Sequence, residues 1–463
     1  MGISMSRNVA IMLVLVFLTA SLIVAAKPVS AATPVEDSWT SKASMQVARS
    51  YFGVAVVNDK IYAIGGSTQQ GSAPNDLSRG FVGTNEEYNP ETDEWTYKRA
   101  MPTPRHYFAI AVSQNKIYCM GGYLNNGTVT RVNEVYDPVT DTWENKTPMP
   151  TARIGLKASV ANSRIYLMGG YVPAHYTTQN FSSSFLTLNE VYDPITDSWT
   201  TKEPLPTATS DYASAVVDNK IYIISSDLNQ IYEPATDKWS QGTPSPSRIS
   251  YGEAGATTGV NAQKRIYVLG QDFSFSEPPY VNRVYNPATD TWMAGATLPT
   301  ERKGFGVAVV NDILYVIGGL TETFDMFWNS HVTLYATNEQ YTPFGYGTVP
   351  PAVAVVSPEN KTYSSGNVSL AFTVNKPAVW LGYSFDGQGN VTVSGNATLS
   401  GLTSGLHNIT VYARDEFDNV GASETVTFNI QEPFPIAPVA AASGASIAVI
   451  CVGLLVYLKK RNH

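Results

Sequence analysis

One string constrains this chain more than any other feature. NEVYDPVTDTW at 133–143 returns as NEVYDPITDSW at 189–199. Looser copies stand at NEEYNPETDEW (85–95), NQIYEPATDKW (229–239) and NRVYNPATDTW (282–292), always with seven positions from Tyr to Trp. A sixth copy opens as NEQYTPFGYGT (338–348) and lacks the Trp. Such a repeat commits a chain to a stack or ring of like units, because one unit cannot bury its apolar face alone.

Two further motifs travel with the first. An apolar run, a polar tip and a Tyr precede each copy: VVNDKIYAIGG (56–66), VSQNKIYCMGG (112–122), VANSRIYLMGG (160–170) and VVNDILYVIGG (309–319), with degenerate forms VVDNKIYIISS (216–226) and NAQKRIYVLGQ (261–271). The links MPTPR, MPTAR, LPTAT and LPTER join each Trp to the next unit. Four strands per unit follow from this. An apolar strand a and its partner b meet at a two-residue polar tip suited to a tight hairpin. A loop of variable length leads to strand c, and a Pro- and Asp-rich turn leads to strand d. The fifth unit is longer, with an insertion around GATTGVNAQ.

The double glycine, Tyr and Trp at this spacing resemble the kelch motif over about residues 34–348. The resemblance implies an all-β fold, a β-propeller with one four-stranded blade per repeat, here six-bladed. It implies structural work for Gly65, Gly66, Gly121, Gly122, Gly169, Gly170, Gly318 and Gly319, which permit a tight bend. Tyr88, Tyr136, Tyr192, Tyr232, Tyr285 and Tyr341, with Trp39, Trp95, Trp143, Trp199, Trp239 and Trp292, would fill the gaps between blades. An Asn three before each Tyr (Asn85, Asn133, Asn189, Asn229, Asn282, Asn338) reads as a side chain bonding backbone groups. Ser225-Ser226 and Gly270-Gln271 replace the glycine pair in units four and five, where local tightening or tilting is expected. VEDSWTSKASM (35–45) has the Trp-to-Met spacing of a fourth strand, so it should complete the last blade and close the ring.

Both ends of the chain read as membrane-directed. Residues 1–32 hold Arg7, an uncharged run from Asn8 to Ala26 and small residues suited to a signal peptidase. An uncleaved anchor is the other reading. Residues 433–458 carry no charge, and Val439–Leu458 is long enough to cross a bilayer as a single transmembrane helix. Lys459, Lys460 and Arg461 follow in a basic tail, 459–463, which places the C-terminus in the cytoplasm and the N-terminal bulk outside the cell membrane. Between propeller and anchor, residues 349–432 alternate as NVSLAFTVN (367–375), AVWLGYSFDG (378–387), NVTVSGNATL (390–399), HNITVYARDE (407–416) and SETVTFNI (423–430). They suggest a β-sandwich, and the run resembles Ig-like domains of bacterial and archaeal surface proteins. Only two cysteines, Cys119 and Cys451, fit a prokaryotic surface protein better than a disulfide-built one. Sequons at Asn126, Asn145, Asn180, Asn360, Asn367, Asn390, Asn396 and Asn408 are glycosylation candidates.

A net charge of −8, without a basic patch outside the tail, argues against a nucleic-acid partner. Antiparallel connectivity gathers the b–c and d–a loops at one end. The b–c stretches, counted from glycine pair to Tyr, hold 21, 13, 21, 5, 13 and 21 residues. Tyr176, Phe181, Phe275, Tyr280, Phe327 and Trp328 enrich them in rings suited to stacking on a sugar or packing a protein. Packing of the loops onto the propeller is the plainer reading of the same rings. Arg49, Arg105, Arg153, Arg248 and Arg302 recur in the d–a segments, where they could grip an anion or pair with neighbouring carboxylates. The copper chemistry of some kelch oxidases needs clustered His with a modified Cys. Here the repeats hold only His106, His175 and His331, so no metal or cofactor is expected. A second kelch-like class isomerises sialic-acid-type sugars with Arg and acidic groups at the channel mouth. The function expected is recognition of an extracellular glycan or protein, with a carbohydrate-active enzyme as the alternative.

Overall fold

A computed structural model of the protein describes residues 34–68, 80–173, 184–225, 227–272, 280–325 and 330–431. The signal, anchor and tail segments, together with Tyr176, Phe181, Phe275, Phe327, Trp328 and Asn180, lie outside the described residues. Among the described residues, no helix is long and apolar enough to cross a membrane. The chain divides into two compact units, Thr33–Val349 and a second that holds Pro350 onward.

The first unit holds six four-stranded antiparallel sheets, each running a, b, c, d. The first comprises Gly53–Val57, Lys60–Ile64, Asn85–Asn89 and Glu94–Lys98, and sheets two to five repeat the order. In the sixth, Gly306–Val310, Ile313–Ile317 and Asn338–Thr342 are joined by Ser38–Lys42 from the start of the chain. Trp39 stands opposite Tyr341, the pairing that Trp95 makes with Tyr88. Hairpin tips such as Asn58-Asp59 and Asn311-Asp312 hold both residues at positive φ, which matches the strand twist and favours short polar side chains.

Side chains at the sheet junctions explain why the sheets form a ring. Tyr341 donates its hydroxyl to Asp37 of the closing strand, and the other five motif tyrosines donate theirs to the Asp five positions on, as in Tyr88 to Asp93 at 2.6 Å. That same Asp oxygen accepts the backbone N–H of a linker in the preceding sheet, Ala43 N at 2.9 Å, while Trp95 Nε1 donates to Ala43 O at 2.7 Å. The latch recurs at all six junctions, ending with Asp37 and Trp39 on Ala296. In the first five sheets the motif Asn adds a bond to the carbonyl that the next sheet's Trp takes, as Asn85 Nδ2 does to Arg99 O at 3.3 Å beside Trp143 Nε1. Each strand-b Tyr also meets the motif Tyr of the next sheet, from Tyr62 on Tyr136 to Tyr315 on Tyr88, which closes the circle. The core is therefore six wedges between sheets instead of one ball.

Unit five departs from the expected tightening. Without a left-handed glycine pair its strands a and b run on, Ile249–Ala256 against Ile266–Asp272, with a register shift between Ser250 and Glu253. Where the pair is present, as at Gly65 and Gly66 (φ 67° and 97°), a Cβ would fall 2.9 Å from Arg105 O or 2.6 Å from Phe52 Cβ. The insertion in unit five is pinned by Asp312, whose carboxylate accepts the N–H groups of Thr258, Val260, Asn261 and Ala262.

The second unit is a sandwich of a three-stranded and a six-stranded sheet around Leu370, Ile409, Val411 and Phe428. The run 390–399, read as one strand, is two: Val391–Val393 pairs with Trp380–Phe385, and Ala397–Leu399 pairs with Val368–Val374 in the other sheet. The turn between them carries the chain across the sandwich, which alternation alone cannot reveal. Buried His407 sets Nδ1 2.8 Å from Asp386 Oδ2 and Nε2 2.8 Å from Thr403 O. Two acceptors suit the imidazolium, and the Thr403 bond and then Asp386 raise its pKa above the usual 6.5. A raised folded pKa contributes stability in full below about pH 6.5, lost as pH rises through the folded value. The melting temperature of this unit should fall between pH 6 and 8. In His407→Gln it should stay level, as scanning calorimetry of both proteins would show.

Candidate functional site

Strand a of every sheet begins at the ring axis, on the end that carries the b–c loops. Two residues before the start stand Tyr51, Tyr107, Gly155, Asp211 and Gly304, while Tyr251 is the third residue of the longer strand Ile249–Ala256, and all six have φ between 48° and 65°. Bulky residues reach the left-handed region at about 1–2 kcal/mol each. Only a surrounding structure that fixes them keeps three tyrosines there. Part of that structure is a chain of backbone bonds around the axis: Tyr51 N to Gly304 O at 2.7 Å, Tyr107 N to Tyr51 O at 3.1 Å, and Asp211 N to Gly155 O at 3.0 Å. Glycine is required at two positions by its neighbours: a Cβ on Gly304 or on Gly155 would strike the rings of Tyr51 or Tyr171.

These residues line a small axial cavity of ≈ 50 Å³ together with Lys157 and Glu253. Below it the inner strands close in, and a Cβ on Gly306 would fall 2.1 Å from Val54 Cγ2. Tyr51 and Tyr107 stack at 4.3 Å, His106 meets both edge-on, and Phe81 stacks on His106 at 3.9 Å, so an aromatic ridge runs outward over the first two sheets. Lys157 Nζ is bonded to Glu253 Oε1. Burial pushes the carboxyls of Asp211 and Glu253 above their usual values, with Lys157 acting against it in both. The hydroxyls of Tyr51, Tyr107 and Tyr251 are pushed up by burial too.

The arginines stand one layer back. Arg49, Arg105, Arg153 and Arg302 are 0% exposed. Each pairs with the Glu that follows the motif Asn: Arg49 with Glu86 at 2.9 Å, Arg105 with Glu134 at 2.5 Å, Arg302 with Glu339 at 2.6 Å, and Arg153 with Glu190. Each also donates to a strand-b carbonyl of its own sheet, Ala63, Cys119, Leu167 or Val316. Burial pulls Arg49 and Arg302 below the usual guanidinium value while the paired glutamates oppose it. With no face toward the loops, these four groups tie strands together and do not reach into the mouth. Arg248 differs: it is exposed, and Ile249 holds the equivalent repeat position. Sheet four has Thr209 and Gln230 in place of the ion pair, and sheet five has Ile249 and Arg283, which bonds Ser247 Oγ at 2.8 Å. Where the arginine is lost, the glutamate is lost with it. That paired change could have been read from the repeats alone.

Tyr280 is half-buried in strand c of sheet five, opposite Gln271. Of the sequons, Asn126, Asn145, Asn360, Asn390, Asn396 and Asn408 are exposed and Asn367 is half-buried. Cys119 is a free buried thiol in strand b. Groups of three or more His, Cys, Asp or Glu placed to hold a metal are absent among the described residues.

Repeated sheets latched Tyr to Asp to Trp, with the double-glycine bend above them, define a kelch-repeat β-propeller, and residues 48–102, 104–150 and 152–206 each match the Kelch motif. Among curated proteins the chain is similar to alpha-scruin of Limulus polyphemus, 36% identical over 85 residues, 18% of this chain and 8% of that protein. It is also similar to Kelch-like protein 15 of Danio rerio, 29% identical over 203 residues, 41% of this chain and 32% of that protein. The chain thus spans a third or less of these relatives' own lengths. A solved structure, that of YjhT, aligns at a TM-score of 0.48 and 17% identity, over 63% of this chain and 95% of that one.

Proposed function

We infer that this protein is an exported recognition protein of a prokaryotic cell surface. In this reading a six-bladed kelch propeller (34–348) is followed along the chain by an Ig-like sandwich (349–432) and a C-terminal membrane helix (433–458), and it binds an extracellular partner through its loop-bearing end. The observation that carries it is the gathering of b–c loops of very unequal length around one mouth of a rigid ring, the arrangement in which binding commonly resides. Kelch repeats generally bind proteins, and a preformed cavity of ≈ 50 Å³ is far below the roughly 300–1,000 Å³ of small-molecule sites. A protein surface is therefore favoured over a free sugar. The sugar-isomerase alternative is less favoured, since four of the five arginines expected at the mouth, all but Arg248, are committed to buried glutamates.

The test compares the full chain, on a protein-capture panel and a glycan array, with a variant in which the loop 320–336 is cut to the length found in sheet four. Binding to a defined partner should fall at least tenfold while the melting temperature holds. A partner bound equally well by variants shortened in each long loop would sink the reading. Protease added to intact cells should remove the propeller if the topology is right.

A further inference from the structure

We propose that the axial mouth of the propeller is a receptor for one alkylammonium group, the ε-ammonium of a partner's lysine, seated between Asp211 and the tyrosines at 51, 107 and 251. This rests on the reading of the loop-bearing end as the binding face and names the group taken at its centre.

Charge comes first. The charged residues lining the cavity are Lys157, Asp211 and Glu253. Lys157 is bonded to Glu253 and acts on Asp211 only through its field, so two carboxylates share one ammonium group. Among the described residues the hydrogen bond made to the Asp211 carboxylate is that of Ser210 Oγ, at 3.4 Å, long for an O–H donor. Burial holds the Asp211 carboxyl above its usual pKa although Lys157 opposes it, and such a carboxylate gains from a further cation brought to it.

Shape and surface agree. The cavity is ≈ 50 Å³, room for one or two waters or a single ammonium head and too small for a sugar ring. Tyr51, Tyr107 and Tyr251 stand in its lining, and the quadrupole of such a ring attracts a cation within about 6 Å of the ring centre. The protein already uses one face in this way: Lys303 Nζ lies 5.3 Å from the centroid of Tyr251 while bonded to Glu322 at 3.0 Å. The left-handed backbone at all six positions holds these groups in place before any ligand arrives.

Titration calorimetry of the full chain in detergent tests this with N-acetyl-lysine methylamide and its uncharged counterpart, N-acetyl-norleucine methylamide. The lysine compound should bind saturably and the norleucine compound not at all. A lysine-bearing peptide and cadaverine then separate a protein lysine from a free amine, and the peptide should bind tighter. Asp211→Asn tolerates the left-handed backbone and should weaken lysine binding at least tenfold with an unchanged circular dichroism melt. Glu253→Gln, which frees Lys157, should weaken it as well, and serves if the first variant melts early. Equal binding of the two compounds, or full binding by both variants, overturns the inference. If the parent binds no lysine yet keeps its partner, and Asp211→Asn keeps it too, the ammonium site falls while the recognition reading stands. Loop-shortened proteins that hold their partner sink the recognition reading whatever the amine does.

Discussion

Removal of residues 34–44 is expected to abolish the cooperative melt of the propeller and to yield self-associating protein. The deletion takes away the whole outer strand of the sixth sheet, five residues paired with Asn338–Thr342. It leaves the Tyr341 hydroxyl without Asp37, its 2.7 Å partner, and Ala296 N without the same oxygen at 2.6 Å. Trp39, 4.9 Å from Tyr341 and bonded to Ala296 O at 3.0 Å, goes too, so the junction between the fifth and sixth sheets loses its latch. What remains is an unpaired edge strand that can pair with another copy. The single change Asp37→Ala isolates the latch and should cost about 2–4 kcal/mol, from two lost bonds to a charged acceptor. Urea unfolding followed by Trp fluorescence reads this directly, because every Trp except Trp380 falls within 34–348. A deletion protein that stays monomeric and melts like its parent would show that the ring closes without this strand.

The second large effect is expected at the buried ion pairs. Arg105→Ala strands Glu134, whose side chain is 3% exposed, and should cost about 3–5 kcal/mol, since a buried charge without its partner is far costlier than no charge. The fourth sheet supplies the control. Thr209 and Gln230 hold the same places there, with Gln230 bonded to Thr207 N at 2.8 Å and Thr207 O at 3.2 Å. The double variant Arg105→Thr, Glu134→Gln should therefore recover most of the loss. Urea midpoints of the three proteins decide it: a double variant as unstable as the single one would mean that the arginine acts through packing or its carbonyl bond instead of charge. This result also bears on function, because a ligand-gripping arginine would leave stability little changed when removed.

Much of the propeller is legible in the repeats for a plain reason. Its Tyr, Asp and Trp act at fixed offsets within one unit and its nearest neighbour, so six copies print the same contacts six times, and the Asn repeats its bond in five. The closure by Trp39 is legible in the same way, through a six-residue step to Met45 shared with Trp95 and Met101. The arginines were visible as a series, but their partners left a trace only in the joint loss of Arg and Glu in units four and five. Glu86, Glu134, Glu190 and Glu339 lie 29 to 37 positions away, across a loop whose length differs from unit to unit. In the second unit the crossing at 390–399 was hidden because alternation is indifferent to which sheet a strand joins.

The chain alone therefore determined the kelch-type repeat, the four strands of each unit, the strand that closes the ring and the end on which the loops gather, because these follow from local spacing and antiparallel connectivity. Only the tertiary structure decided which charges face solvent. It drew four arginines into a buried layer beside their glutamates, and it brought Tyr51, Tyr107, Lys157, Asp211, Tyr251 and Glu253, spread over five units, to one axial mouth. Closing a ring makes neighbours of residues that no sequence interval relates, and the chemistry of the mouth exists only once the ring is closed.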